Sequence, residues 1–398
     1  MSVTSPWTAA HRSTGEHDGL FETGPPRRLP RLMGLPEPLL PNTTSRIVAT
    51  LLIGWAPLAV LSGVQALQGE AGALASFAGD VGVHARLALA APLLVAAYAT
   101  CARRLGAIAL NFLSSGVLEP SAEEPFRAAI AQARARLRSS KAEFAVLVLA
   151  YAIVGALFAF SPAALVQNGW QKLSATGAMS PAGWWHALVG APLLLAILLG
   201  WVWRLVIWGR FLHQVARLDL RLVPAHPDQA GGLGFLTESV RALSLVALAF
   251  SALPAGRFAT VHILDIASPL TTPFLIGLAL LMGLLIGVAP LTAFVPKLLR
   301  AWRRGLVEYG GLATALGLDF EKKWLAKPRP SEMLEVPDFS ATTDLYQVVA
   351  NVQGMRIVPV DHKSMVVLLA SSVVLFIPAM FLTMPTEAVL KELKGLIS

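Results

Sequence analysis

The chain has 398 residues, of which 55% are apolar and only 14% are charged, well below the roughly 25% charged of an ordinary soluble domain. Its formal net charge is +8, but the basic residues flank apolar segments and do not form one patch. This distribution favours contact with anionic lipids and argues against nucleic-acid binding. Cys101 is the only cysteine, which excludes intrachain disulfides and cysteine-rich metal sites.

The N-terminal residues are polar and rich in proline, and they show no apolar core of a cleavable signal peptide. Such a composition is typical of a segment that cannot bury enough apolar surface to fold. We therefore predict that residues 1–46 form a largely disordered arm that ends in a basic membrane anchor.

Apolar runs long enough to cross a hydrocarbon core about 30 Å thick recur along the rest of the chain. They predict an all-α, polytopic membrane protein with about seven transmembrane helices and cytoplasmic helical extensions. The predicted spans are residues 47–67, 87–102, 144–166, 187–208, 236–256, 270–295 and 364–384. The first six form a bundle over 47–295, and the seventh belongs to a last segment, 364–398. No repeat at a fixed period is visible.

The distribution of basic residues predicts the orientation. Seven spans place the termini on opposite sides, and with the N-terminus in the cytoplasm most of the 32 Lys and Arg residues are cytoplasmic. The other side receives only Arg86, Lys172, Arg257, Lys391 and Lys394. By the positive-inside rule we predict a cytoplasmic N-terminus and a C-terminus outside.

Two predicted cytoplasmic segments, 103–142 and 296–363, are long enough to fold. The first contains apolar residues at helical spacing, which predicts an amphipathic helix lying on the membrane or against its neighbours. These residues are Phe126, Ile130, Ala133 and Leu137. The second segment continues span six and, after a Pro-rich break, reaches a second helix near 340–355.

The polar stretch "RLDLRLVPAHPDQAGGLGFL", residues 217–236, lies between two apolar runs. The preceding span continues into it as "WVWRLVIWGRFLHQVARLDLRL", which predicts one projecting helix that ends at Pro224. One face of that helix is expected to carry Arg210, His213, Arg217 and Arg221. In the turn that follows, Asp228 caps the backbone, and Gly231, Gly232 and Gly234 permit positive φ or close backbone approach.

Two interpretations of this loop stay open. A Gly-rich turn before a helix N-terminus, opposite a basic helical face, is suited to an anion such as a lipid phosphate. The candidate anion or lipid site comprises Arg210, His213, Arg217, Arg221, His226, Asp228, Gly231, Gly232 and Gly234. The alternative is a tight helical hairpin. Without a P-loop Lys-Ser/Thr or a metal-ligand spacing, we expect no nucleotide, cofactor or metal.

The run "WRLVIWGRFLHQVARLDLRLVPAHPDQAGGLGFL", with the downstream "RRGLVEYGGLA", resembles a group of bacterial multi-pass inner-membrane proteins. The resemblance extends from about span two to span seven, and the loop is its most specific part. It implies a bacterial inner-membrane location and hence a periplasmic C-terminus. The group has no established activity, so the resemblance implies no catalytic residue.

Three ionisable residues fall within the predicted spans, where an unpaired charge is costly. Arg204 can snorkel or stack on Trp201 or Trp208, and Glu238 can pair with Arg241 at spacing i,i+3. If the bundle contains a polar pathway, Arg204, Glu238 and Arg241 are expected to line its inner mouth.

Three functions remain open. Intramembrane charges, kinked helices and the GxxxG step of Gly283 and Gly287 favour a homo-oligomeric channel or transporter for ions or a small anionic solute. The ordered cytoplasmic segments favour a scaffold or sensor that binds a cytoplasmic protein partner or anionic lipid. A membrane enzyme acting on a lipid-linked substrate would have to use His226 and Asp228, which lack a convincing third partner. We therefore expect no enzyme.

Overall fold

A computed structural model of the chain describes residues 42–160, 169–325 and 338–383. Apart from two single β-bridges, these residues form helices and their connections, without a strand. The predicted all-α class is therefore confirmed. The predicted arm over 1–46 lies almost entirely outside the described residues, as do residues 384–398.

The described helices are long enough to define a membrane bundle. Besides a short helix at Ala73–Ala78, they are in chain order α1 (Thr43–Leu67), α2 (Val81–Ser114), α3 (Glu123–Leu137), α4 (Ser140–Phe160), α5 (Pro181–Val215), α6 (Gly234–Ile263), α7 (Thr271–Gly287), α8 (Val295–Trp324), α9 (Asp338–Gln353) and α10 (His362–Thr383). Among them α1, α2, α4, α5, α6 and α10 are long and apolar enough to cross a membrane. A seventh span is present if α7 is joined to the helix that follows its 48° bend.

The transmembrane helices α2 and α5 are longer than the spans 87–102 and 187–208 predicted for them. The apolar run of α2 is interrupted at Arg103 and Arg104, but the helix continues because its later turns still bury Phe112 and other apolar side chains. Burial against neighbouring helices therefore extends a helix beyond the limit that hydropathy alone sets.

Helices α2 and α5 also share a local irregularity, although the sequence shows no repeat at a fixed period. Each contains a π-helical segment that begins at a histidine, His84–Ala90 and His186–Gly190, followed by Ala-Pro-Leu-Leu. A proline within a helix clashes with the carbonyl four residues earlier, and a widened turn relieves that clash. In α5 the carbonyl of Leu188, four residues before Pro192, accepts a hydrogen bond from the Tyr151 hydroxyl at 3.2 Å.

Helix α6 lies at the centre of the bundle, and 78% of its most apolar stretch is buried. It packs against α2, α7 and α10. Glycines allow these helices to approach closely, since a Cβ at Gly283 would collide with Ser372 and one at Gly287 with Leu368, both on α10. The GxxxG step of α7 therefore packs within the chain.

One end of the bundle is closed by a cap, residues 68–80 and 169–180. The cap's two segments are tied together, because Trp170 Nε1 donates to Asp80 Oδ2 at 3.1 Å and Ser174 N donates to Glu70 Oε1 at 2.9 Å. Trp170 is fully buried and Asp80 is 6% exposed. The cap is thus an ordered structure with its own polar interior.

The other end of the bundle carries a platform, residues 115–139, 216–233, 295–325 and 338–361. Its helix α3 confirms the predicted amphipathic helix: Phe126, Ala133 and Leu137 are buried, and Ile130 is partly buried. α3 packs against the platform end of α5. The Pro-rich break between α8 and α9 lies outside the described residues.

Candidate functional site

The polar loop begins earlier than predicted, because α5 ends at Val215 and not at Pro224. After α5, Leu220 forms a β-bridge with Leu118, and the Arg221 N–H donates to the Val117 carbonyl at 2.7 Å. The backbone groups that would extend the helix are therefore paired with the segment after α2. This tertiary pairing outweighs the local helical pattern.

The prediction of one cationic helical face is consequently wrong. Arg210 and His213 lie on α5, whereas Arg217 and Arg221 follow its end. All four side chains are exposed, so the basic residues remain at the surface, two of them on α5 and two on the platform.

The turn at the centre of the loop is organised by the carboxylate of Asp228. Its Oδ1 accepts hydrogen bonds from the N–H groups of Ala230 at 2.8 Å and Gly232 at 3.2 Å, and its Oδ2 accepts one from Gly234 at 2.7 Å. Gly231 and Gly232 have φ of 66° and 96°, which confirms the positive φ predicted for them. A Cβ at Gly234 would lie 2.8 Å from the Asp228 carboxylate, so this position requires close backbone approach.

The same contacts determine the charge of Asp228. Burial opposes its ionisation, but the three backbone donors and His226 outweigh burial and hold the pKa of Asp228 below its usual value. His226 Nδ1 lies 2.8 Å from Asp228 Oδ1. The backbone N–H groups of the turn, which were considered as donors to an external anion, therefore bind the protein's own carboxylate.

The loop is also braced by the segment before α10. Arg356 donates through a guanidinium nitrogen to the Asp228 carbonyl at 2.6 Å and through its backbone N–H to the Gln229 carbonyl at 2.7 Å. Thr237 Oγ1 donates to the Pro359 carbonyl at 3.0 Å. Sequence reasoning missed Arg356, since no local pattern points to a partner more than a hundred residues away.

Arg241 ties the platform end of α6 to the start of α10. Its guanidinium donates to Glu238 Oε1 at 2.7 Å, to Asp361 Oδ2 at 3.0 Å and to Ser364 Oγ at 2.7 Å. Asp361 in turn caps α10 by accepting the Ser364 N–H at 3.0 Å. The pairing predicted between Glu238 and Arg241 is confirmed, whereas Asp361 and Ser364 were not foreseen.

Arg204 lies elsewhere, between α2 and α5. Its guanidinium carbon is 4.1 Å from the ring centre of Tyr98 and 5.7 Å from that of Trp201, and the residue is 6% exposed. The two rings are stacked 5.0 Å apart. The predicted stacking on Trp201 is therefore present, although Tyr98 makes the shorter contact. Arg204 thus belongs to a different contact group from Glu238 and Arg241.

A lateral groove of about 770 Å³ lies between α5 and α7 and continues over the turn that leads to α8. Its walls are mainly apolar, with Val202 and Val206 contributed by α5 and Leu285 by α7. These three side chains are 45%, 53% and 57% exposed, so the groove opens sideways from the bundle. Phe250 of the central helix also lines it.

At the platform end the groove becomes more polar. His213, Thr292 and Pro296 line it there, and Gly209 leaves space in the α5 wall. A Cβ at Gly209 would meet only Pro290 Cβ, at 3.9 Å. The sequence showed no sign of this groove because it depends on the bend between α7 and the helix after it.

The described part of the chain contains no group of three or more His, Cys, Asp or Glu side chains placed to hold a metal ion. His226 and Asp228, the pair considered for catalysis, contact each other inside the turn. The Asp228 carboxylate is already used by three backbone donors, so its role in the described structure is to hold the loop.

No protein-family model matches the chain, and neither the curated proteins nor the solved structures contain a significant match. Its function is therefore inferred from its own residues.

Proposed function

We propose that the protein is a membrane-embedded scaffold or sensor whose platform binds the anionic lipid surface of the cytoplasmic leaflet. The supporting observation is a set of exposed basic residues on a part of the molecule that is internally braced. These residues are Arg217, Arg221, Arg300, Arg303 and Arg304 on the platform, together with Arg210 at the adjoining end of α5. Two expectations from the sequence support the proposal: the positive-inside pattern favours a cytoplasmic platform, and the resemblance to bacterial inner-membrane proteins implies a membrane with anionic lipids.

The bracing of the platform matters for affinity. A basic side chain near an anionic leaflet contributes about 1 kcal/mol, and the contribution falls with ionic strength. Backbone ordering would offset part of that gain if the loop were free to move. Since Asp228 and Arg356 already order the loop, the arginines are presented at little further entropic cost.

The proposal is tested with the full chain in nanodiscs of phosphatidylcholine, with and without phosphatidylglycerol. We expect a higher Tm with phosphatidylglycerol, and a smaller gain at high salt. The combined variant Arg217→Gln, Arg221→Gln and Arg300→Gln should lose most of the gain. Lys172→Gln, which removes an exposed charge from the cap, should retain it. Equal Tm values in both lipids would contradict the proposal.

A second candidate function is the passage of a small anion through the bundle, and the burial of Arg204 favours it. A charge within a span is costly to retain, so an intramembrane arginine is a candidate functional position even where, as here, it stacks on aromatic rings. Anion flux into liposomes that falls in Arg204→Gln, with the protein shown to be folded, would support passage. Absence of flux across several anions and voltages would leave the scaffold or sensor as the better account.

A further inference from the structure

We infer that the groove between α5 and α7 binds one acyl chain of an anionic phospholipid, whose headgroup lies against Arg210, His213 and Arg300. This inference rests on the proposed function, because it assigns a specific site to the lipid that the platform recognises.

The dimensions of the groove fit a single acyl chain. The α5 wall runs from Val202 to His213, and at about 1.5 Å rise per residue this distance is about 16 Å. One leaflet contributes about half of a hydrocarbon core about 30 Å thick, so the groove extends over about one leaflet. Its volume of about 770 Å³ lies within the range of small-molecule binding sites.

The groove is open toward the lipid bilayer and reaches the central helix, so a bound acyl chain would lie between the two. The exposed Val202, Val206 and Leu285 form its open edge, where lipid tails meet the protein. Phe250 comes from the buried central helix, so an occupant contacts the protein interior as well as its surface. A lipid held in this way gains contacts that an annular lipid lacks.

The platform end of the groove complements an anionic headgroup. His213 lines the groove and is exposed, and Arg210 is exposed nearly one turn earlier on α5. On the opposite wall, Pro296 lines the groove. Arg300 Nε donates to the Pro296 carbonyl at 3.2 Å. His213 on the groove wall, with Arg210 nearby on the same helix and Arg300 one turn beyond Pro296, would bind a phosphate by charge-assisted hydrogen bonds.

Lys297 lies beside these residues but has another role. Its Nζ donates to the Leu218 carbonyl, which ties α8 to the polar loop. The headgroup residues are therefore taken from α5 and from the exposed face of α8. This division separates the side chains that hold the platform together from those that face the lipid.

The test uses the delipidated full chain in detergent, titrated with phosphatidylglycerol or phosphatidylcholine and monitored by native mass spectrometry. The main variant is Gly209→Leu, which adds a side chain to the groove wall at a position where a Cβ would meet only Pro290 Cβ, at 3.9 Å. The control is Gly277→Leu on the exposed face of α7, where a Cβ would meet nothing within 4 Å. Both changes favour helix, so neither is expected to impair folding.

We expect the wild type to bind one phosphatidylglycerol more tightly than any further lipid, and more tightly than phosphatidylcholine. Gly209→Leu should lose this first binding event, and Gly277→Leu should keep it. Arg210→Gln and Arg300→Gln should each weaken it by about fivefold, which corresponds to about 1 kcal/mol per charge.

The outcomes separate this inference from the proposed function. Unchanged binding of phosphatidylglycerol by Gly209→Leu would overturn the groove as the site, while the proposed function would stand if the platform variant still lost its lipid preference. Equal binding of both lipids by the wild type would overturn both. Loss of phosphatidylcholine binding alone in Gly209→Leu would show a neutral lipid in the groove and overturn the headgroup assignment.

Discussion

Asp228 supplies, from within the chain, the negative charge for which a Gly-rich turn is suited. Its two carboxylate oxygens accept three backbone N–H groups, and a helix begins directly after the turn. The positive φ of Gly231 and Gly232 aims the backbone at that carboxylate. At the residue scale, the turn therefore binds its own carboxylate, and the proposed recognition of external anions rests on the arginines around the loop.

Replacing Asp228 by Asn tests this account of the turn. The new amide group would face backbone N–H donors with an N–H of its own, so we expect stability at neutral pH to fall by about 2 kcal/mol. Unfolding in detergent measures the loss, and hydrogen exchange should show faster exchange at the Gly232 and Gly234 amides. Asp219→Asn, an exposed carboxylate in the same loop, is the matched control and should change little.

The pH dependence of that difference is also predicted. The pKa of Asp228 is lowered in the folded state, so its contribution is fully present above the unfolded value of about 3.9. It is lost as the pH falls through the lower folded pKa. The gap in Tm between wild type and Asp228→Asn should therefore persist at neutral pH and close below about pH 4. A gap that stays constant to lower pH would contradict the charged turn.

Residues whose partners are close in sequence were predictable, and those with distant partners were not. The roles of Asp228 and the glycines follow from turn chemistry within a few residues. The contacts of Arg356 with Asp228 and of Arg241 with Asp361 join residues more than a hundred positions apart. No local pattern carries that information, because the contacts exist only once α10 packs beside α6.

At the scale of elements, close helix approach holds the centre of the bundle together. α6 contacts both α7 and α10, and glycines on α7 remove the side chains that would hold α10 away. The helix limits illustrate what hydropathy leaves out. α5 ends at Val215 because the backbone beyond it pairs with residues 117–119, and α2 continues to Ser114 because its last turns are buried.

Substitution of Gly283 by Ala tests this packing. The added Cβ would collide with Ser372 on α10, so we expect a loss of about 2 kcal/mol from overpacking. Gly277→Ala on the same helix should be neutral or slightly stabilising, since its Cβ would have open space. Unfolding in detergent compares the two.

A second substitution makes the Gly283 test specific. Ser372→Gly removes the group that the new Cβ would meet, so the double variant should recover part of the loss relative to Gly283→Ala alone. If the stability losses of the two single variants simply add in the double variant, the loss in Gly283→Ala does not arise from the α7–α10 contact.

At the scale of the whole molecule, the two ends of the bundle differ in charge and in construction. The cap is tied by Trp170, Asp80 and Glu70, whereas the platform presents exposed arginines around the loop and α8. The membrane class of the molecule was predictable, because apolar runs long enough to cross a bilayer can be read from the sequence alone. The groove was not predictable, since it lies beside the 48° bend between α7 and the helix that follows it.

The orientation of the two ends is testable by cysteine labelling. Cys101 is 1% exposed, so it should not react with a membrane-impermeant maleimide and the chain provides a silent background. We expect Lys172→Cys on the cap to be labelled in intact spheroplasts, and Arg217→Cys on the platform only after permeabilisation. The reverse pattern would place the platform outside and remove the basis for its contact with the cytoplasmic leaflet.

The most direct test of anionic-lipid binding by the platform is hydrogen–deuterium exchange of the full chain in nanodiscs with and without phosphatidylglycerol. We predict that phosphatidylglycerol slows exchange in peptides covering 210–223 and 295–305 at low salt, and that high salt removes this protection. Peptides of the cap, 68–80 and 169–180, should exchange at the same rate in both lipids. Platform exchange that is unaffected by phosphatidylglycerol, or a response confined to the cap, would contradict the account.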